Sequence, residues 1–463
     1  MHTGLMMTKP ACLAALAAVA IAAGGCAAGP APRSSGTPGP SGTPAPPGRA
    51  TNWTAYHDGP GRQGHAAGLP PAGELSIRWS ARLDGAVYGQ PLVIGDLVVA
   101  ATEGGTVYGL DRSSGRLRWR TPVAAPLPLA DQPCGDIDPI GITSTPVFYR
   151  GLVYAVAQDG RSGHVLVGID PADGRVRYRR PVPSPDGRPF YDQQRSALAA
   201  EDGRVYVTFG GHAGDCGPYV GSVVGMPAAG NERAPVVSYR VPTTKHGGIW
   251  APGGPAIGPD GTMYVGVGNG ATSPPFDDSD SVTALSPGLR RIGVFAPSDW
   301  LADNASDLDL GSMTPALAGS GQILMAGKRG VAYLLDAADL GGIGGQRAKL
   351  AVCPAFGGAA VTGPVVILPC ASGGPAAVRV SPGALRLIWR GPGAADGSPV
   401  AGGGAVWVTA NAAGVLYELD PASGRVRQHI ALGTSLPHFA SPALSGGLVL
   451  VGTLHGVIAV SGA

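Results

Sequence analysis

TVYGLDRSSGRLRW, the stretch from Thr106 to Trp119, holds the pattern from which the fold follows. An alternating apolar run ends at Asp111, a short polar stretch leads to Gly115, and a second alternating run closes at Trp119. Two period-two runs around a polar, Gly-bearing break spell a β-hairpin. Gly115 supplies a turn position with positive φ, and the Asp111 carboxylate can accept from turn amides, so the Asp-x3-Gly spacing has a physical reason. The same spacing returns in HVLVGIDPADGRVRY, from His164 to Tyr178, around Asp170 and Gly174. It returns again in GVLYELDPASGRVRQ, from Gly414 to Gln428, around Asp420 and Gly424.

Ahead of each hairpin stands another strand pair, as in PLVIGDLVVAAT from Pro91, TPVFYRGLVYAVA from Thr145 and GPAIGPDGTMYVGVG from Gly254. Two hairpins in succession make a four-stranded unit. Equivalent positions at Asp111, Asp170, Met226, Ser286, Asp336, Ser381, Asp420 and Ser461 mark eight units of about 52 residues, a spacing suited to propeller blades. The last unit stops after three strands, whereas LSIRWSARL, from Leu75 to Leu83, is a strand without a partner ahead of the first. An N-terminal strand completing the last blade removes the free edge of the ring. The expectation is an all-β, eight-bladed β-propeller of four-stranded blades over residues 50–463, closed by that strand. A pair of β-sandwiches leaves the Asp-x3-Gly recurrence without a reason. Long excursions are expected between Leu129 and Ile142 and between Gly270 and Leu310, the kind of loops on which recognition residues sit.

Composition agrees with this. Gly 76 and Pro 45 of 463 residues argue against a helical bundle, while 44% hydrophobic and 14% charged residues are too apolar for a disordered chain. Lys+Arg 33 against Asp+Glu 31 gives no electrostatic reason to invoke nucleic acid. Lys9 precedes an Ala-rich apolar run from Ala11 to Ala23, a signal-peptide core too short to span a bilayer. Ala23-Gly24-Gly25-Cys26 resembles a lipobox, which makes residues 1–25 a lipoprotein signal peptide and Cys26 the lipidated N-terminus, anchored to the outer face of the membrane. The alternative is a plain secretory signal cut nearby. Residues 26–49, rich in Pro, Gly and Ser, read as a stiff tether. Outside the cytoplasm the even set Cys134, Cys216, Cys353 and Cys370 favours two disulfides. Of three pairings the local one joins Cys134 to Cys216 and Cys353 to Cys370, with four buried thiols as the alternative.

The V-Y-x-L-D-x-x-x-G-x-x-x-W hairpin resembles the PQQ-binding-like repeat, shared by quinoprotein alcohol dehydrogenases and by the eight-bladed lipoprotein of the β-barrel assembly machinery. That resemblance covers the chain from Trp53 onward. If it extends to the enzymes, GIWAPGGPAIGPDGTMYVGVGNG implies Trp250 as the floor beneath the quinone and Asn269 as a calcium ligand. It likewise implies a base in Asp307-Leu308-Asp309 and a cation at Lys328. Calcium polarises the quinone, a carboxylate takes the alcohol proton, and a cation stabilises the reduced quinone. The sequence departs from that pattern twice. It has no adjacent Cys-Cys pair to clamp the quinone, and where those enzymes supply a calcium-binding Glu it offers only Asp215.

Each residue also has a structural reading. Trp250 serves as an inter-blade packing residue, Asn269 as a turn residue, Asp303, Asp307 and Asp309 as caps, and Lys328 as an exposed turn cation. Asp277, Asp278 and Asp280 in FDDSDS lack calcium-loop spacing and are expected in an exposed loop. The functional expectation is a monomeric, membrane-anchored extracytoplasmic propeller that binds a protein or a small ligand, most simply without a cofactor. Its alternative is a PQQ- and Ca2+-dependent dehydrogenase of alcohols or sugars.

Overall fold

The computed structural model describes residues 51–462, and the segments expected to be signal peptide and tether, with Cys26, lie outside them. Eight four-stranded antiparallel units follow one another along the chain. The first runs Leu92–Ile94, Leu97–Ala101, Thr106–Asp111, Leu117–Pro122, and the second Val147–Tyr149, Leu152–Asp159, Gly163–Ile169, Val176–Val182. The marked positions fall within one residue of the end of the third strand of each blade, from Asp111 to Ser461. Inner strands of neighbouring blades touch, including the first with the eighth. The eighth blade consists of Ala443–Ser445, Leu448–Thr453 and Gly456–Gly462, and its outer strand is Leu75–Arg82, paired antiparallel from Leu75↔Gly462 to Arg82↔Gly456. The ring is thus closed by the N-terminal strand.

The repeated hairpin explains itself atom by atom. Asp111 Oδ1 accepts from Ser113 N and Ser114 N at 3.1 Å, and Asp420 Oδ1 from Ala422 N and Ser423 N, while Gly115, Gly174 and Gly424 hold φ between 68° and 72°. Between the third and fourth strands a bulge skips one residue, and in the three blades whose turn carries the Asp-x3-Gly spacing that residue is an arginine: Arg118, Arg177 or Arg427. Each returns to its turn carboxylate, Arg118 to Asp111 at 2.5 Å and Arg427 to Asp420 at 2.6 Å. The bulge turns the next residue, Trp119, against Gly109 of its own blade and Gly174 of the next, with its Nε1 donating to Pro171 O at 2.9 Å. Trp79 on Gly115 and Trp389 on Gly424 repeat the contact, donating to Arg112 O and Pro421 O. Truncating such a buried tryptophan costs about 3–5 kcal/mol, so these residues, with the apolar strands, hold blade to blade.

One feature has no signal in the hairpin pattern. Residues 51–66 line one end of the ring and bond to seven blades. Trp53 exchanges backbone bonds with Val93, Thr54 O accepts from Phe148 N, Pro60 O from Ile257 N, Gln63 O from Val361 N and Gly64 O from Ala401 N. Thr51 meets Ser445. Within this plug Arg62 is 3% exposed and donates only to carbonyls, Pro255 O at 3.1 Å, Tyr56 O at 3.1 Å and Leu198 O at 2.6 Å. Burial pulls its guanidinium down to about 10, which leaves it charged.

Both disulfides form in the local pairing, with Cα–Cα distances of 5.9 Å for Cys134–Cys216 and 5.6 Å for Cys353–Cys370. Two sequence expectations are corrected. The excursion from Gly270 to Leu310 is two loops, 268–280 and 297–315, separated by the strands Ser281–Leu285 and Arg291–Ala296. FDDSDS is not simply exposed: Asp278 and Asp280 are 5% and 0% accessible because Arg291 pairs with the first and Leu310 N packs onto the second. Among the described residues no helix is long and apolar enough to cross a membrane.

Candidate functional site

Antiparallel blades put the turns joining strands one to two and three to four on one face, and the two-to-three loops with the blade-to-blade connections on the other. On that second face lies a cavity of roughly 250 Å3. Its wall includes Trp250, Phe439, Arg195, Lys328, Asp307 and Asp215, supplied by connections and loops of five different blades. Two wider grooves, about 1040 and 770 Å3, lie on the turn face against Gly319–Gly321 and neighbouring turns. The loop-face cavity is the one with an aromatic floor and converging charges.

The floor begins with Trp250, half-buried beside Gly268. Its ring lies 6.3 Å from both Phe356 and Phe439, which stack on each other at 5.7 Å and 2°. Lys328 Nζ sits 5.5 Å over the Trp250 ring and pairs with Asp309 at 2.9 Å and with Asp307. The short helix Trp300–Ser306 sets up this cluster. It ends at Asp307 in the left-handed conformation (φ 55, ψ 45), whose N–H bonds back to Asp303 O. Asp303 pairs with Arg329 and Asp307 Oδ1 accepts from Asn269 Nδ2 at 2.5 Å, so both cations of the GKRG turn are neutralised from the same segment.

Electrostatics follow burial. Desolvation opposes the Lys328 ammonium, but Asp309 and Asp307 outweigh it and its pKa rises. Burial raises the Asp309 carboxyl against the pull of Lys328. On the neighbouring wall Tyr219 donates to Asp215 at 2.5 Å, and burial together with that carboxylate drives its phenol well above the ordinary range. Asn269 Oδ1 is buried without a partner.

The structure therefore brings Trp250, Asn269, Asp307, Asp309 and Lys328 into one cluster, with Asp215 across the cavity on Tyr219. Lys328 is not the exposed turn residue of the structural reading, since its side chain is 17% accessible. Cys134–Cys216 ties together the two loops whose neighbouring residues, Asp136 and Gly214, line the mouth, a staple invisible in a search for adjacent cysteines. Sequence reasoning also missed Arg195, Tyr219, Phe356 and Phe439. They belong to no repeat position, and nothing local marks them.

Residues 73–265 match the family described as outer membrane protein assembly factor BamB. Polyvinylalcohol dehydrogenase of Sphingopyxis sp. is 24% identical over 247 residues, 46% of this chain and 34% of that protein, so the match spans about a third of the relative's length. Among solved structures, quinohemoprotein alcohol dehydrogenase ADHIIG of Pseudomonas putida superposes with a TM-score of 0.68 at 15% identity, over 89% of this chain and 80% of its own. BamB of Moraxella catarrhalis gives 0.58 at 16%, over 84% and 99%. The ring is thus an eight-bladed propeller, and over the matched segment its repeats are similar to those of the PQQ-binding-like repeat family.

Proposed function

We propose that the protein is a cell-envelope binding propeller whose loop-face cavity takes a planar anionic small molecule. The observation that carries this reading is Lys328, held over the Trp250 ring by Asp307 and Asp309. An ammonium fixed above an indole offers a flat ligand both a stacking surface and a charge. On the same reading residues 1–25 direct export, Cys26 carries the lipid, residues 26–49 hold the ring off the membrane, and residues 50–463 build it.

PQQ, flat and carrying carboxylates, fits the floor and the ammonium. Calcium fits less well. Asp307 and Asp309 share Lys328, Asp215 is taken by Tyr219, and among the described residues no three His, Cys, Asp or Glu side chains converge as a metal site. On the cavity side, Asn269 Oδ1 and His212 Nδ1 are buried without a hydrogen-bond partner. A second reading, a quinone dehydrogenase, is favoured by the clustering of Trp250, Asn269, Asp307, Asp309 and Lys328 and by the likeness to polyvinylalcohol dehydrogenase. Bound PQQ would supply a two-electron acceptor there; Trp250 would stack it and Lys328 would face its charge.

The test is a fluorescence titration of the purified protein with PQQ, with and without Ca2+, followed by dye reduction with alcohols and sugars. The expected result is saturable, calcium-independent binding weakened at least about tenfold in Lys328→Ala and Trp250→Ala. Calcium-dependent binding with turnover would establish the dehydrogenase. No binding would shift the reading to a protein partner, which the likeness to BamB supports and which crosslinking at the cell surface would identify.

A further inference from the structure

Four adjacent blades, the seventh, eighth, first and second, carry a motif that the cavity does not use. Gly424-Arg425-Val426-Arg427, Gly115-Arg116-Leu117-Arg118 and Gly174-Arg175-Val176-Arg177 each lead from the hairpin turn into the outer strand. In the eighth blade Ile77-Arg78 takes the same place, Ile77 pairing with Val460 as Leu117 pairs with Leu110. The corresponding stretches of the other four blades have no Gly-Arg-aliphatic-Arg run. All four copies sit at the outer edge of the turn face, opposite the loop-face cavity.

The aliphatic side chain of each copy is exposed: Leu117 is 57% accessible, Ile77 45%, Val426 41% and Val176 39%. Across residues 74–82, 111–120, 170–180 and 420–429 twelve arginines stand against five acids, a surplus of seven in a chain whose whole surplus is two. Arg118, Arg177 and Arg427 are held by their turn carboxylates, whereas among the described residues Arg116, Arg120 and Arg425 pair with no carboxylate. Charge on an outer strand discourages pairing with another chain. That accounts for arginine on any blade, but not for an exposed aliphatic residue kept beside it, nor for its confinement to one half of the ring.

The described chain also begins at this half and on this face. Thr51 O accepts from Ser445 Oγ of the eighth blade at 2.7 Å, and Asn52 Oδ1 accepts from Gly95 N of the first at 2.9 Å. Only residues 27–50 stand between Thr51 and Cys26, the residue expected to carry the lipid.

We propose that this half of the turn face docks on an anionic lipid bilayer, its arginines at the phosphates and Leu117, Val176, Val426 and Ile77 among the headgroups. The loop-face cavity then opens away from the membrane. Of the reading above, the proposal takes only the placement of the chain at a membrane. Palmitate labelling of the native protein, abolished by Cys26→Ser, tests that placement separately.

The test is sedimentation of the unlipidated chain from Ala27, which keeps every described residue, with vesicles of equimolar phosphatidylglycerol and phosphatidylcholine or of phosphatidylcholine alone. Binding is expected to the anionic vesicles only, and to weaken as NaCl screens exposed charges. Replacing Arg116, Arg175 and Arg425 together by Gln is expected to weaken it by at least about tenfold. Replacing Leu117, Val176 and Val426 together by Gln is also expected to weaken it. A control with the same loss of charge on other blades, Arg240→Gln with Arg347→Gln and Arg386→Gln, is expected to stay within about twofold of wild type. Thermal melting checks that each variant folds; where the first triple does not, Arg116→Gln with Arg425→Gln, which breaks no ion pair, carries the comparison. No sedimentation with anionic vesicles would overturn the proposal. So would an equal loss in the control, which would mean that net charge rather than this face binds lipid.

Discussion

At the scale of single residues, two buried titratable groups of the first and second blades pull stability in opposite directions with pH. Burial pushes the Glu103 carboxyl up to about 7 against the Gly141 N–H, and pulls the His164 imidazole down to about 3. Glu103 favours its neutral form in the fold, so its contribution is present below its ordinary value of 4.5 and is lost as pH rises through 7. His164 also folds neutral, and its contribution is present above 6.5 and is lost as pH falls toward 3. Glu103→Gln keeps an acceptor for Gly141 N and removes the titration. Relative to wild type, the variant is expected to gain up to about 3 kcal/mol of stability between pH 4 and pH 8, the full value of the shift. Urea denaturation at a series of pH values measures this, and a difference that stays flat with pH would show Glu103 already ionised in the fold.

At the scale of the blade, the hairpin turn is both a bend and a socket. A Cβ on Gly174 would meet the Trp119 ring at 2.7 Å as well as standing at φ 72, whereas Gly187, at φ 73, has nothing within 4 Å. Gly187→Ala therefore isolates the conformational cost, about 1 kcal/mol. Gly174→Ala adds displacement of the tryptophan and is expected to cost about 2–4 kcal/mol. Comparing the two midpoints in urea separates socket from bend, and equal losses would mean that Trp119 does not depend on the glycine. The turn itself was readable because its requirements are local: an acceptor at Asp170, a positive φ at Gly174, alternation on either side. Its partner was not, since Trp119 belongs to the preceding blade.

At the scale of the whole molecule, the strand Leu75–Arg82 and the plug 51–66 are what make eight sheets one body. A chain beginning at Gly85 loses both and exposes the edge of Gly456–Gly462. It is expected to lose a single cooperative unfolding transition and to self-associate, seen by near-ultraviolet circular dichroism and size-exclusion chromatography. A monomer that melts like wild type would show that the seven intact blades suffice. The count of blades, their order and the closing strand could be read from the sequence alone, because alternation and turn chemistry act between residues a few positions apart. The cavity could be read only in part. Trp250, Asn269, Asp307, Asp309 and Lys328 were legible through their motif. Arg195 and Phe439, and the burial of Asp278 and Asp280, were not, because they arise when connections separated by whole blades converge over the ring centre. Ring closure, which no local pattern records, sets those distances.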